Sequence, residues 1–272
     1  MTTEDQGPSG RTLRRIGTGL GLAVVLLSGI AVLGMLAGPG PLAPDAPSRT
    51  LSADRAEAVS RQVSAAFENI QAVWKREFAR RFGRDYVPPE VRLYTGTTVS
   101  PCSDGQEATG PFYCPRSVEA VFDLAFFEAL NARLRRSGDL GAALVVAMIS
   151  ASYVQDELGL LAEAETRRRE DGARGATAVD EALAAQADCL AGVWAALAAD
   201  SVGAVPPGFY DQLIGIARNV MAERAGFAPE MPSRLDPFEA ASRATREADF
   251  AAGYGAADPA VCLPGRLVSA EG

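Results

Sequence analysis

The apolar positions of this chain fall into a few long runs, and their spacing sets most of the expected secondary structure. Ile16 to Ala37 is 22 residues without a charge, and a helix crossing a bilayer needs about 20. Between Ser52 and Phe82, the residues Val59, Val63, Phe67, Ile70, Trp74, Phe78 and Phe82 recur every three or four positions, the stripe of an amphipathic helix. Gly83 is placed to cap it, and Pro88-Pro89 then breaks the chain. Val91 to Thr98 is rich in β-branched and aromatic residues and predicts a strand; Val118 to Asp123 predicts a second. Asp123 stands at the start of a helix over Leu124 to Arg135. Leu140 to Leu161 is apolar nearly all round, as a core helix is, yet carries the small residues Ser150, Ala151 and Ser152 in its middle. Glu163 to Ala176 has almost no bulky apolar residue and predicts a loop or frayed helix end with a solvated arginine run. Ala178 to Ala199 and Pro207 to Arg224 predict further helices. Asp236-Pro237-Phe238-Glu239 has the form of a helix start, for a last helix running to about Tyr254.

The pattern sums to an α+β domain, mostly helical, with a small sheet, preceded by one transmembrane helix. The expected organisation is a tail at 1–15, a spanning helix at 16–37, a proline-rich spacer at 38–51, the domain at 52–263 and a short tail at 264–272. Arg11, Arg14 and Arg15 precede the apolar run, which puts the N-terminus in the cytoplasm and the domain outside it. A cleaved signal peptide would have a shorter apolar core, about 7–15 residues.

Charge and composition then narrow the chemistry. The net charge is −8 and no dense basic face is evident, which argues against nucleic acid, whose phosphates need cations. The chain contains no histidine. Imidazole bases, Ser-His and Cys-His pairs, and histidine metal ligands are therefore all excluded. Four cysteines allow three pairings. In an oxidising compartment, Cys102 and Cys114 flank a short Gly/Asp-rich loop and suit a local bridge, leaving Cys189 for Cys262; four free thiols are the alternative. Their spacing lacks the closely paired ligands of a zinc site.

Several motifs in order resemble one family. These are GPFYCP (Gly110 to Pro115), VFDLAFFEAL (Val121 to Leu130), YVQDELG (Tyr153 to Gly159), QADCLAGVWA (Gln186 to Ala195) and GYGAADPAVC (Gly253 to Cys262). Together they resemble the bacterial neutral zinc metallopeptidases, anchored by one N-terminal helix. The resemblance covers about Val63 to Cys262. It implies a zincin-like fold in the periplasm, single-pass in the inner membrane. It also implies an H-E-x-x-H helix supplying two zinc ligands and a general base, with a glutamate ligand on a second helix. Position by position, this chain departs from that pattern. The first histidine falls on Met148, the catalytic glutamate on Ile149, the second histidine on Ser152 and a following histidine on Tyr153. The glutamate ligand falls on Ala184, while an aspartate that supports the site is kept as Asp188. A further histidine near the C-terminus falls on Ala240. The resemblance therefore implies a degenerate member, without catalytic residues and with the zinc of the family lost.

Two functional expectations follow. One is a pseudopeptidase that binds a peptide or an envelope protein, with Val118, Ala120 and Phe122 on an edge strand lining a cleft, or that serves as a scaffold in the envelope. The other is a membrane-bound hydrolase using Ser150, Ser152, Tyr153 and Asp188. A serine nucleophile without histidine needs a lysine, and Lys75 is the sole candidate.

Overall fold

The computed structural model of the protein describes residues 51–263. The expected N-terminal tail, the spanning helix 16–37, the spacer up to residue 50 and the tail from residue 264 lie outside the described residues. Helix α1, Ala53–Glu77, follows the predicted stripe, with Val63, Ile70 and Trp74 buried. It closes through a wider turn, Phe78–Phe82, and ends at Gly83 in the left-handed conformation. Strands β1 (Glu90–Tyr94), β2 (Phe112–Cys114) and β3 (Glu119–Asp123) form one sheet in the order β1-β3-β2. Helices α2 (Leu124–Leu134) and α3 (Gly138–Glu157) follow, then α4 (Leu160–Leu197), α5 (Phe209–Ala225) and α6 (Arg243–Ala256). The architecture is mostly helical with a small sheet, as the pattern predicts.

Helix α3 occupies the centre. Leu144, Val145, Val146, Met148, Ile149 and Val154 are all buried, between α1 on one side and α4 on the other. Among the described residues, the run Leu124–Glu157 is long and apolar enough to cross a membrane, but 78% of its apolar window is buried in the domain.

The sequence misplaces four features. The strand at Val118–Asp123 is not an edge. β3 pairs in parallel with β1, Val91 opposite Ala120, and antiparallel with β2, Tyr113 opposite Ala120. Ala120 thus has a paired strand on each side, Phe122 pairs with Leu93 of β1, and both are fully buried. Val118 lies just outside the strand, in a left-handed turn (φ 52°). β2 went unseen because three residues between prolines are too short to show alternation. The β1 strand also stops earlier than expected, before Gly96 turns the chain with φ 86°.

The segment 163–176, expected as a loop or frayed helix end, is helical and broken at Gly172 (φ 67°, ψ −159°). There α4 doubles back. Arg168 bonds Asp180, although 12 residues along a straight helix would span about 18 Å. The arginines are laced to acids, Arg167 to Glu163 and Arg169 to Glu165 one turn apart, and Ala164 packs near Val179. Short-range ion pairs and the partner arm replace the missing apolar stripe. Finally, Asp236 accepts from the Phe238 amide at 2.9 Å, but only a turn follows. The last helix begins seven residues later, at Arg243, capped by Ser242.

Two disulfides are formed, Cys102–Cys114 and Cys189–Cys262, the pairing expected from the sequence. In the chain-entropy picture, closing their loops of 12 and 73 residues removes denatured-state freedom worth about 3 and about 4 kcal/mol. The second bridge fastens the C-terminus to α4 beside a glycine seam between α4 and α6. A Cβ at Gly253 would lie 1.9 Å from the Cys189 carbonyl oxygen, and one at Gly192 would lie 2.1 Å from that of Phe250. Neither contact can relax without moving a backbone. Gly253→Ala is therefore expected to push α6 away and cost about 2 kcal/mol or more, read from denaturant unfolding, whereas the same change at Gly255, which has open space, costs little.

Candidate functional site

The sequence places its site candidates on α3 and α4, and the structure separates them into two groups. Ser150 belongs to the first. It is fully buried and accepts from Gln71 Nε2 of α1 at 3.1 Å, and Gln71 in turn accepts from Tyr86. Tyr153 donates to the main-chain oxygen of Val87 and lies 3.0 Å from Glu157. Burial and the neighbouring Glu157 charge hold its phenol above the usual range. These hydroxyls close a tyrosine-rich seam between α1, α3 and the segment before β1. Lys75 is exposed on α1, and no contact joins its ammonium to Ser150 or Ser152 among the described residues.

The second group surrounds Asp188, which is fully buried. Arg246 of α6 grips its carboxylate with two hydrogen bonds, Nε to Oδ2 and Nη2 to Oδ1, both 2.7 Å. Tyr210 of α5 donates to Oδ1 at 2.6 Å. The second hydrogen of Arg246 Nη2 is directed at Met148 Sδ, 2.9 Å away, and Nη1 donates to the Pro237 carbonyl at 2.9 Å. The Tyr210 ring stacks on Phe250 with centroids 4.1 Å apart. Burial opposes the charge on Arg246, but the bonds and charge of Asp188 outweigh it and raise the guanidinium above its ordinary value. Burial, reinforced by the Asp188 charge, lifts the Tyr210 phenol well above 10, so it acts as a donor. The cluster thus joins α3, α4, α5 and α6 through one neutral knot.

Zinc does not fit these residues. Met148 offers only a thioether, already facing a guanidinium; Ile149 is 1% exposed and has no proton to exchange. Ser152 and Ala184 are half-buried, and alanine has no donor atom. Both Asp188 oxygens are committed to donors of the chain, and a divalent ion taking them would leave the buried Arg246 guanidinium without its anion. All four cysteines are in disulfides, and among the described residues no three Cys, Asp or Glu side chains converge. Ala240 is half-buried in the turn before α6.

Sequence reasoning found Asp188 but missed Arg246 and Tyr210, its partners 58 and 22 residues away. It also missed a second buried pair. Arg224 of α5 bonds Asp123 at 2.5 Å, beside Thr109 and the Gly110 amide, while Asp123 caps α2 through the Ala125 amide. The helix-start signal at Asp123 was readable; its distant arginine was not.

A central apolar helix, a second helix packed against it and a small sheet make up the domain. The chain matches the family described as "Putative neutral zinc metallopeptidase" over residues 2–264, and it belongs to that family. It is similar to Uncharacterized protein YpfJ of Escherichia coli K12, 27% identical over 246 residues, covering 89% of this chain and 84% of that protein. It is also similar to Uncharacterized protein Rv2575 of Mycobacterium tuberculosis H37Rv, 31% identical over 220 residues, covering 77% of this chain and 72% of that protein. No solved structure matches.

Because Tyr210 supplies one of the three donors on a buried carboxylate, Tyr210→Phe is expected to cost about 1–3 kcal/mol in denaturant unfolding with the fold otherwise unchanged in circular dichroism.

Proposed function

We propose that this protein is a membrane-anchored pseudopeptidase of the neutral zinc metallopeptidase family, which acts in the cell envelope by binding a peptide or protein rather than by cleaving it. The observation that carries this reading is the fate of the site: Met148, Ile149, Ser152 and Ala184 stand where two histidines, a general base and a glutamate ligand are expected. A catalytic zinc site needs three protein ligands and an open position. A hydrolase built on Ser150 has no support, since that hydroxyl is buried and bonded to Gln71. The zincin-like character of the fold rests on family membership together with the central helix and sheet. The anchor rests on the apolar run Ile16 to Ala37, and the periplasmic side on the preceding arginines and the two disulfides.

Within this reading the partner adds to β1. In the parallel register Glu90 donates to Val118, so the main-chain groups of Val91 and Leu93 point away from β3. Val91 is 40% exposed, and Val87 nearby is 72% exposed, whereas β2 at the other edge is buried along its length. An extended segment with apolar side chains suits such an edge.

The test is made on full-length protein extracted from membranes. Metal analysis should find zinc far below one per chain, and hydrolysis of an unstructured protein should stay at background with or without chelator. A photo-crosslinker at position 91 should capture a partner that one at the buried position 120 does not. Stoichiometric zinc with chelator-sensitive hydrolysis would overturn the proposal.

A further inference from the structure

The knot at Asp188 does more than fill an emptied site. We infer that Arg246 is the organising cation of this site, and that the Asp188–Arg246 pair is an internal lock holding α6 shut over the Met148 side of α3 without any metal. The inference deepens the non-catalytic reading and rests on it.

The geometry leaves Asp188 no other evident task. Arg246 is 0% exposed, and its donors are distributed over Asp188, Met148 and Pro237. Asp188 receives two hydrogen bonds from Arg246 and one from Tyr210. Arg246 is the residue through which α6 reaches all of these partners at once. Around it, Phe250 stacks on Tyr210, Phe238 stacks on Phe126 of α2, and Arg218 of α5 donates to the Phe238 carbonyl at 2.7 Å. The turn 236–241 and α6 are thereby drawn onto α2, α4 and α5 above Met148, which is 2% exposed. A buried carboxylate that had lost its cation would be costly, as would a buried guanidinium without its anion. This explains why Asp188 persists while the ligand position Ala184, one turn away on the same helix, holds no polar group. Asp188 is the counter-ion of Arg246.

The lock predicts strong coupling between the two residues and none between stability and metal. On the full-length protein, Asp188→Leu and Arg246→Met should each lower the unfolding midpoint by roughly 10 °C. The double variant should recover most of the loss, with a coupling of at least about tenfold in the unfolding equilibrium. Should a single variant fail to fold, Arg246→Lys keeps the charge and loses the bidentate grip. In that variant amide exchange in α6 should quicken while that in α1 is unchanged. Chelator and added zinc should leave the wild-type midpoint where it is. Additive losses, or α6 exchange that does not respond to Arg246→Lys, would overturn the lock while leaving the non-catalytic reading intact. Stoichiometric zinc whose removal unfolds the domain would overturn both.

Discussion

The carboxylate of Asp188, taken out of water at the meeting point of four helices, is the constraint around which this domain is arranged. An isolated buried charge costs more than a fold of ordinary stability can supply, so its neighbours are dictated by it. A guanidinium suits the task because its planar fork matches both oxygens, and its remaining hydrogens can be spent on Pro237 and Met148. Tyr210 fills the remaining donor position with a ring that also packs on Phe250. Breaking such a pair from one side costs about 3–5 kcal/mol, mostly because of the charge left behind. The bond is therefore better understood as a demand for mutual presence than as a large net contribution to stability.

That demand explains the close approach of α4 and α6. Gly192 and Gly253 let the two backbones meet at a separation that any side chain would forbid, and Cys189–Cys262 ties the chain end beside them. The seam brings Arg246 deep enough to reach Asp188. The second buried pair, Arg224 with Asp123, repeats the logic at the sheet. One carboxylate caps α2, receives the Gly110 amide and neutralises an arginine of α5, so the loop carrying Cys102–Cys114 is joined to the helical layer.

How much of this could be read in advance depends on the range over which each feature is encoded. The stripe on α1, the all-apolar α3, the cap at Gly83 and the short Cys102–Cys114 loop are local and were legible, and the Cys189–Cys262 pairing followed from the latter by elimination. Asp123 was legible as a helix start for the same reason. Arg246 was not, because nothing near it distinguishes a buried guanidinium from a solvated one; only the fold brings it to Asp188, 58 residues earlier. The first arm of α4 was legible only as a loop or frayed helix end because its helicity comes from ion pairs and from the second arm, with no apolar period to detect. The edge assignment of Val118, Ala120 and Phe122 failed on topology: a strand's own alternation does not say how many neighbours it has. β2 held the answer in three residues, too few to register.

The same distinction bears on the proposed loss of the zinc site. On the proposed reading, histidines and a glutamate without their metal would be polar groups stranded in a core, whereas Met148 and Ile149 are buried residues that a core accepts. Substitution at such positions is favoured once the ion is gone, because an unliganded imidazole or carboxylate there costs desolvation energy with nothing to offset it. Asp188 escapes that pressure since its partner is a residue of the chain. Whether a polar group survives the loss of a reaction therefore turns on whether its counter-charge is covalently part of the fold. By that criterion Asp188 and Arg246 belong to the architecture, and on the proposed reading Met148, Ile149 and Ala184 stand where the chemistry of the family is expected.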